Sequence, residues 1–416
     1  MEENNNGMNP EPKKSSSKFF MGFLVGALVA AAVLLAAFVG YTLVANRTAW
    51  VKAKKKQTQT VEEDESYQAK LDTILQYLDA YYVGEYDDEE LEMGLSKALL
   101  ANIGDKYAMY YTPEEFATLL EDSSGEYAGI GVSVVMNEDN EVEIYKVFEG
   151  TPAEEAGLQI RDIIISADGE TKFKVLDDLV SVVRGEPGTT VDLTVRRNGE
   201  EVSFTVPRAK VQTPTVEFEL LENGIGYIYI SEFDNVTVDQ FNKALDSLEN
   251  QGMESLIIDV RDNPGGDYDT VVAMSDRVLP EGLIISTKDK NGNEKTEMSD
   301  EEHQLTLPMV VLINENTASA AELFSGAISD YGLATLVGTN SYGKGVVQSI
   351  FRLSDNSGMK FTTEKYYIPS GRCIDGVGLQ PDVEVIIPEE AYEDGIITEE
   401  EDTQLQKAIE ILRGVE

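Results

Sequence analysis

The chain has 416 residues, 42% of them hydrophobic, which excludes a disordered chain and calls for two or three domains. Its 33 basic and 76 acidic residues give a formal net charge of −43, which repels phosphate backbones and argues against nucleic-acid binding. One histidine, His303, and one cysteine, Cys373, cannot supply a zinc site, a disulfide or a Cys/His dyad with an orienting group, so we expect no metal and no cofactor.

The first apolar segment has the length of a membrane span. From Phe19 to Ala45 no charged residue occurs, and a helix of that length rises about 40 Å, enough to cross a bilayer with some tilt. It is longer than the apolar core of a signal peptide. We therefore expect a short tail at 1–18 and an uncleaved anchor at 19–45, with a signal cleaved after Leu43-Val44-Ala45 as the alternative.

The charges around this segment do not settle its orientation. Residues 1–60 hold eight basic and three acidic residues, and more of the basic ones follow the span than precede it. By the positive-inside rule alone, the large body would lie in the cytoplasm.

A polar tether and a helical region follow the span. Residues 46–66 lack apolar periodicity and are typical of a linker. Apolar residues then recur at helical spacing, and Thr112-Pro113-Glu114-Glu115 has the cap, the first-turn proline and the acidic first turn of a helix. We expect residues 67–123 to pack as a small helical domain.

From residue 124 the apolar period changes to that of strands. Gly129-Ile130-Gly131 leads a strand that runs on through Val132 to Val135, and a second strand spans Val142–Val147. A short helix ending at Gly157, a further strand and a helix over Val175–Arg184 complete the pattern. A Gly-Ile-Gly turn presents backbone N–H groups suited to a terminal carboxylate, and the strand edge after it can pair with an extended peptide.

These motifs, taken in order, resemble a PDZ domain, an α+β fold, over residues 124–208. The resemblance implies a groove for the tail of a protein. Gly129, Ile130, Gly131 and Val132 would bind the tail from the strand side. The facing helix would line the groove with Val175, Leu176, Leu179 and Val183.

Residues 209–388 alternate strands and helices, which predicts an α/β core with helices packed on a sheet. The predicted strands are Ile225–Ile230, Ser255–Val260 and Met309–Ile313, and the predicted helices are Val238–Asn250, Thr270–Val278 and Ser319–Ser329. Beyond this core, 389–416 is an acidic segment with an amphipathic helix over Asp402–Leu412. The sequence leaves open whether that helix packs on the core or pairs two protomers.

Ser319 lies at the turn between a buried strand and a helix. There a hydroxyl would point outward while the Ala320 N–H, at the positive helix end, faces whatever the hydroxyl attacks. Ser319-x-x-Glu322 is also a capping box, and a cap is the simpler interpretation of this motif alone.

A base for Ser319 would come from a lysine. His303 stands in an acidic stretch typical of a solvated loop. Lys344 is flanked by Gly343 and Gly345 and leads into an apolar strand, where desolvation would lower its pKa and yield a neutral amine. Gln348 shares its strand parity and could turn its amide toward that amine. When Lys344 is considered without the other residues, the alternative interpretation is an exposed lysine in a surface turn.

Two further patterns are better explained without a catalytic or a metal-binding function. Ser354-Asp355-Asn356 and Ser357-x-x-Lys360 match motifs of penicillin-binding enzymes, but they abut in the wrong order and are typical of a hairpin turn. Asp259, Asp262, Asp267 and Asp269 lack the spacing of a calcium loop and indicate loop solvation.

Together these residues resemble the C-terminal processing peptidases, or tail-specific proteases, which are serine peptidases with a PDZ domain. The resemblance rests on Ser319, Lys344, Gln348 and the Arg261-Asp262-Asn263-Pro264-Gly265-Gly266 segment, and also on Gly104-Asp105-Lys106-Tyr107 and Pro369-Ser370-Gly371-Arg372. It implies Ser319 as nucleophile, Lys344 as general base and Gln348 as its orienting partner. It also implies an oxyanion hole formed by the N–H groups of Gly266 and Ala320.

The same resemblance implies an endopeptidase that binds apolar C-terminal tails through its PDZ domain and cleaves the polypeptide. It further implies a catalytic region outside the cytoplasmic membrane, on the outer face or in the periplasm, which overrides the charge count at the span. A homodimer and a regulatory protein partner stay open. The alternative is a noncatalytic, membrane-tethered PDZ scaffold, against which the presence of both Ser319 and Lys344 argues.

Overall fold

The computed structural model describes residues 67–137, 139–300, 303–392 and 397–414. Within these ranges no helix combines the length and the apolar character that a bilayer crossing requires. The predicted tail at 1–18, anchor at 19–45 and linker at 46–66 lie outside the described residues. The chain divides into two compact units, Met1–Asp88 and Glu89–Glu416.

In the first unit, residues 67–81 form helix α1, as the apolar spacing predicts. Its Tyr77 and Tyr81 rings stack with their centroids 5.9 Å apart. The Tyr86 hydroxyl donates a hydrogen bond to Asp79, which ties the residues after the helix back to it.

The remaining described elements form two five-stranded sheets, one six-stranded sheet, a two-stranded antiparallel sheet and the helices that cover them. The other helices are α2 (Asp88–Ala101), α3 (Pro113–Ser124), α4 (Pro152–Ala156), α5 (Leu176–Val183), α6 (Thr237–Asn250), α7 (Tyr268–Asp276), α8 (Ala320–Asp330) and α9 (Thr403–Leu412). The strands are β1 (Met109–Tyr111), β2 (Glu126–Gly129), β3 (Val132–Met136), β4 (Val142–Val147), β5 (Ile163–Ala167), β6 (Thr190–Arg197), β7 (Glu200–Pro207), β8 (Ala209–Gln212), β9 (Val216–Leu220), β10 (Ile225–Ile230), β11 (Ser255–Asp259), β12 (Gly282–Asp289), β13 (Glu294–Ser299), β14 (Met309–Ile313), β15 (Ala334–Gly338), β16 (Val346–Arg352), β17 (Gly358–Tyr367) and β18 (Val383–Glu384).

The region at 67–123, predicted as a small helical domain, also contains one short strand. Helix α3 begins as predicted: the Thr112 hydroxyl accepts from the Glu115 N–H at 3.2 Å, and the Glu115 carboxylate accepts from the Thr112 N–H at 2.8 Å. Between α2 and α3, however, β1 pairs antiparallel with β17, and Met109 lies opposite Lys360. The pairing partner lies so far along the chain that no local pattern could indicate it.

The predicted PDZ region forms a five-stranded antiparallel sheet in the order β3-β4-β5-β6-β7, with α4 and α5 packed against it. The single strand predicted from Gly129 to Val135 is divided into β2 and β3. Gly131 lies between them with φ +91°, and a Cβ there would come within 2.4 Å of Thr151. Strand β3 is the edge of the sheet, and α5 lies beside it.

The predicted α/β core contains a six-stranded sheet in the order β18-β15-β14-β11-β10-β9, parallel except for the β9–β10 pair. Strands β11 and β14 are buried at every residue, which explains their continuous apolar sequence. Helices α6, α7 and α8 cover one face. Helix α9 covers the other with Leu405, Ala408 and Ile409, so its apolar face packs on the core.

A five-stranded antiparallel sheet joins β1, β17, β12 and β13 in that order, and β16 pairs with β17. Strands β16 and β17 form the hairpin that the sequence predicts around Ser354-Asp355-Asn356. At its turn the Asp355 carboxylate accepts from the Ser357 hydroxyl at 2.7 Å and from its N–H at 3.0 Å. These residues therefore have a turn-forming function.

Candidate active site

Ser319 occupies a strained turn between β14 and α8. Its backbone has φ +55° and ψ −116°, a region that non-glycine residues adopt only when their surroundings impose it, at a cost of about 1–3 kcal/mol. The turn is held because the Ala318 N–H donates to the Asn263 carbonyl at 2.9 Å. Ser319 stays half-buried between the buried residues Ala318 and Ala320. The surroundings thus keep the Ser319 side chain partly accessible at a fixed position.

The carboxylate of Glu322 joins this turn to the lysine loop. Glu322 is fully buried, and its Oε2 accepts from the N–H groups of Ser319 at 2.9 Å and Lys344 at 2.8 Å. Its Oε1 accepts from the Ser341 hydroxyl at 2.5 Å and the Gly343 N–H at 2.7 Å. The acidic half of the predicted capping box therefore forms, and the same carboxylate also binds a loop that the motif does not include.

The two glycines that end the Arg261–Gly266 segment are tightly enclosed, and one of them, Gly265, lies against the Ser319 turn. A Cβ added at Gly265 would come within 2.8 Å of the Ala318 carbonyl oxygen, the Ala320 nitrogen and the Ser319 Cβ. Gly266, at φ +147°, approaches Phe233 closely enough that a Cβ would lie 2.3 Å from its carbonyl oxygen. Only glycine fits at either position.

The N–H groups of Gly266 and Ala320 make no hydrogen bond to another described residue. Neighbouring amides in both loops are paired: Asp267 donates to the Phe233 carbonyl at 2.7 Å, and Ala321 donates to the Ala318 carbonyl at 3.1 Å. An unpaired N–H donor next to a nucleophile is the kind of group that can stabilise an oxyanion.

Lys344 lies in a loop of residues 341–345 before β16, rather than on the strand itself. Its ammonium nitrogen is 4.7 Å from the centroid of the Tyr107 ring. Burial lowers the pKa of Lys344, and the nearby charges of Lys360 and Lys106 lower it further, while Glu322 and Asp105 oppose them. A lowered pKa is what a lysine general base needs.

Gln348 does not have the parity with Lys344 that the sequence predicts. Lys344 precedes the strand, and the register of the β16–β17 pair shifts between Val347 and Gln348, which is a bulge. The Gln348 amide donates to the Val346 carbonyl at 3.4 Å. Among the described residues, no hydrogen bond joins Lys344 to Gln348 or to the Ser319 hydroxyl. The Ser319 and Lys344 backbones are joined through Glu322.

Sequence reasoning assigned no function to Asn263, Tyr366 and the acidic end of the capping box. Asn263 is fully buried, donates to the Ile230 carbonyl at 2.8 Å and accepts from the Gly265 N–H at 2.8 Å. The Tyr366 hydroxyl donates to the Ser319 carbonyl at 3.0 Å. Asn263 belongs to a motif that was noticed, whereas nothing local distinguishes Tyr366.

The PDZ region has a mostly apolar groove of about 230 Å³ between β3 and α5. Four of the strand-side residues that the resemblance implies, Gly129 to Val132, line it. From the helix, Leu179 and Val183 line it as predicted, together with Val180. The other two predicted helix residues do not line this groove: Val175 is the N-cap and 54% exposed, and Leu176 packs against the core of the region.

The alternative candidates fall outside this arrangement. His303 is exposed, and its ring lies 3.8 Å from Asp300, in agreement with a loop histidine. Asp259 pairs with Arg261, and Asp262 accepts from the amides of Asn314 and Asn316. Asp267 caps α7 by accepting from the Thr270 N–H at 2.8 Å. These aspartates therefore have structural partners.

Family models match two parts of the chain. Residues 224–385 match peptidase family S41, and residues 128–207 match the PDZ domain. A carboxyl-terminal-processing protease of Synechocystis is 35% identical over 324 residues, covering 76% of this chain and 75% of that relative. The carboxy-terminal processing protease CtpA of Bacillus subtilis is 31% identical over 381 residues, covering 91% of this chain and 79% of that protein.

A solved structure also resembles this fold. A putative S41 protease from Bacteroides fragilis superposes with a TM-score of 0.50 at 19% identity, covering 81% of this chain and 93% of that one. At that identity, the likeness concerns the fold alone.

Proposed function

The chain belongs to peptidase family S41 and is a serine-type C-terminal processing peptidase with a PDZ domain, and from this premise we propose its mechanism and location. It acts on protein or peptide substrates. In the proposal, Ser319 is the nucleophile, Lys344 the general base, and the PDZ groove binds the substrate tail. The observation that carries the proposal is the buried Glu322 carboxylate, whose one oxygen accepts from the N–H groups of both Ser319 and Lys344.

In the proposed reaction the neutral Lys344 amine takes the proton of the Ser319 hydroxyl as its oxygen attacks the scissile carbonyl carbon. The N–H groups of Gly266 and Ala320 donate to the oxyanion that forms. The Lys344 ammonium then gives its proton to the leaving amine, and an acyl-enzyme ester remains on Ser319. A water molecule, deprotonated by the same amine, hydrolyses that ester and restores the serine.

Gln348 is proposed to orient the Lys344 amine when the site is engaged. The hydrogen bond that its side-chain amide donates to the Val346 carbonyl is long, at 3.4 Å, and such a hydrogen bond is readily exchanged for another. Catalytic hydrogen bonds are often loose before the substrate arrives and tighten in the complex.

The proposed mode of tail binding is strand addition. β3 is an edge strand, and the groove beside it is lined by apolar side chains such as Leu179 and Val183. An extended peptide would pair with β3 and place alternate apolar side chains against α5. This supports a preference for apolar C-terminal residues.

For the location, we propose that residues 19–45 anchor the chain in the cell membrane, with the catalytic region on the outer face or in the periplasm. The support is the uncharged stretch from Phe19 to Ala45 and the family's usual location. A protease-protection experiment on intact cells tests it: digestion of the body by an added protease is expected, and a protected body would contradict the location.

The mechanism is tested with the purified full chain and its Ser319→Ala and Lys344→Ala variants. Each is incubated with an unstructured protein whose tail is apolar, and the fragments are identified by mass spectrometry. Cleavage by the wild type alone is expected. Equal cleavage by either variant would overturn the assignment of that residue. If none of the three cleaves, fluorophosphonate labelling of Ser319 separates a closed enzyme from a noncatalytic scaffold.

A further inference from the structure

One wall of the Lys344 site is built by residues upstream of both family-model matches. The segment Asp105–Tyr107 precedes β1, whereas the peptidase match covers residues 224–385. Its Tyr107 ring centroid lies 4.7 Å from the Lys344 ammonium nitrogen. This is within the distance at which a cation and an aromatic face attract each other.

The segment is fixed to the sheet that carries the lysine loop. The Asp105 carboxylate accepts from the Thr362 N–H on β17 at 2.6 Å and from the Tyr107 N–H at 3.0 Å. Strand β1 pairs with β17, and β17 pairs with β16, which begins two residues after Lys344. The position of the ring relative to the amine is therefore set by backbone hydrogen bonds.

The hydroxyl of Tyr107 is buried and makes no hydrogen bond with any described residue. A buried unpaired hydroxyl costs free energy, so the hydroxyl itself gives no reason for a tyrosine here. What the side chain offers to its surroundings is the apolar ring, and two amines lie next to it, those of Lys344 and Lys106, each 4.7 Å from the ring centroid. Of these two, Lys344 is the one whose pKa burial lowers.

We propose that Tyr107 is a positioning residue of the peptidase site, whose ring confines the Lys344 amine and keeps water away from it. This inference rests on the proposed function of Lys344 as the general base. Tyr107 acts through Lys344 and has no contact with the substrate in this proposal.

The ring has two opposite effects on the amine. Exclusion of water favours the neutral form, while the negative face of the ring favours the ammonium. The charges facing the amine are divided as well: Lys106 and Lys360 favour the neutral form, and Glu322 and Asp105 favour the charged form. Burial is the leading cause of the lowered pKa of Lys344, so loss of the ring and entry of water should raise that pKa.

The test is the pH profile of kcat/KM for the full chain, measured from about pH 6 to about pH 10 with a fluorescence-quenched peptide ending in Ala-Ala-Ala. For Tyr107→Ala we expect the acid limb to move up by about one pH unit, which lowers kcat/KM roughly tenfold on that limb. At high pH the variant should converge on the wild type. Tyr107→Phe, which keeps the ring, should superimpose on the wild type throughout.

Tyr110→Ala is the matched control, because Tyr110 lies three residues further along the chain, on β1 opposite Met359, and its ring is not the one over the Lys344 amine. Its acid limb should not move. An unmoved limb in Tyr107→Ala, or a loss of equal size at every pH, would overturn the inference, since a merely structural role predicts such a uniform loss. If Tyr107→Ala does not fold, Tyr107→Gln replaces it, and the polar amide should shift the limb in the same direction.

Lys344→Ala separates this inference from the proposed function. If that variant still cleaves like the wild type, the proposed base is wrong. If it loses cleavage while the acid limb of Tyr107→Ala stays in place, the Ser-Lys mechanism stands and only the assignment of Tyr107 fails.

Discussion

Replacing Glu322 with glutamine tests the link between the two proposed catalytic residues most directly. The carboxylate accepts hydrogen bonds on both oxygens, whereas an amide has one acceptor oxygen and one NH2 group. The NH2 group would face either the N–H groups of Ser319 and Lys344 or the Ser341 hydroxyl and Gly343 N–H. Whichever way it turns, at least one buried donor loses its acceptor.

The less costly orientation can be worked out from the partners. The Ser341 hydroxyl already accepts from the Leu379 N–H at 2.7 Å and can turn to accept from the new NH2 group as well. Only the Gly343 N–H, now 2.7 Å from its acceptor, would then stay unpaired. One buried unpaired donor costs about 1–3 kcal/mol, and a cost of that size in the transition state lowers the rate about tenfold to hundredfold.

The assay is kcat/KM for peptide cleavage, with the rate of fluorophosphonate labelling of Ser319 as a second readout. Glu315→Gln is the matched control, since Glu315 is exposed, lies in the loop before the nucleophile turn and accepts from Thr339. It should leave both rates unchanged. The reasoning is refuted if Glu322→Gln folds with the wild-type melting temperature and cleaves and labels at the wild-type rates.

Four other outcomes are expected. Cleavage should rise with pH along an acid limb whose midpoint lies below the ordinary lysine pKa, since burial lowers the pKa of Lys344; a flat profile with chemistry rate-limiting would count against this base. Gln348→Ala should lower kcat less than Lys344→Ala, and equal losses would make the glutamine indispensable. Leu179→Asp should change tail selection on long substrates, while Val175→Asp, at an exposed position, should not; an equal loss on short peptides contradicts this. Burial and neighbouring carboxylates raise the pKa of Asp234 to about 7, so its deprotonation removes stability as pH rises from about 4 to about 7; Asp234→Asn should raise the melting temperature above that range and leave it unchanged below.

The parts of the fold that the sequence predicted best are strands of the parallel sheet. Strands Ile225–Ile230 and Met309–Ile313 have the predicted bounds, because a strand covered by helices on both faces is a continuous apolar run with sharp ends. Helix α8 differs from its predicted range by one residue at each end. Such offsets are expected where a cap residue is only half in the helix.

What the sequence could not give depends on contacts between distant segments. The local sequence predicts Glu322 as a helix cap. Its second carboxylate oxygen, however, accepts hydrogen bonds from the 341–345 loop, and no local pattern predicts that contact. The bulge after Val347 similarly follows from pairing with β17. Val175 was assigned to the groove as an apolar residue of the facing helix, yet the helix begins only after it.

Because β1 pairs with β17, part of this enzyme can fold only late in its synthesis. Met109 cannot form its strand pairing until Lys360 has been synthesised. Chain synthesis proceeds from the N-terminus at about 5–20 residues per second. Closing so large a loop is also entropically unfavourable until both ends carry their contacts. A chain still emerging from the ribosome therefore holds Ser319 before Lys344 has been placed beside Tyr107. Under the proposed Ser-Lys mechanism, such a chain lacks its general base and cannot cleave its own exposed, unfolded segments.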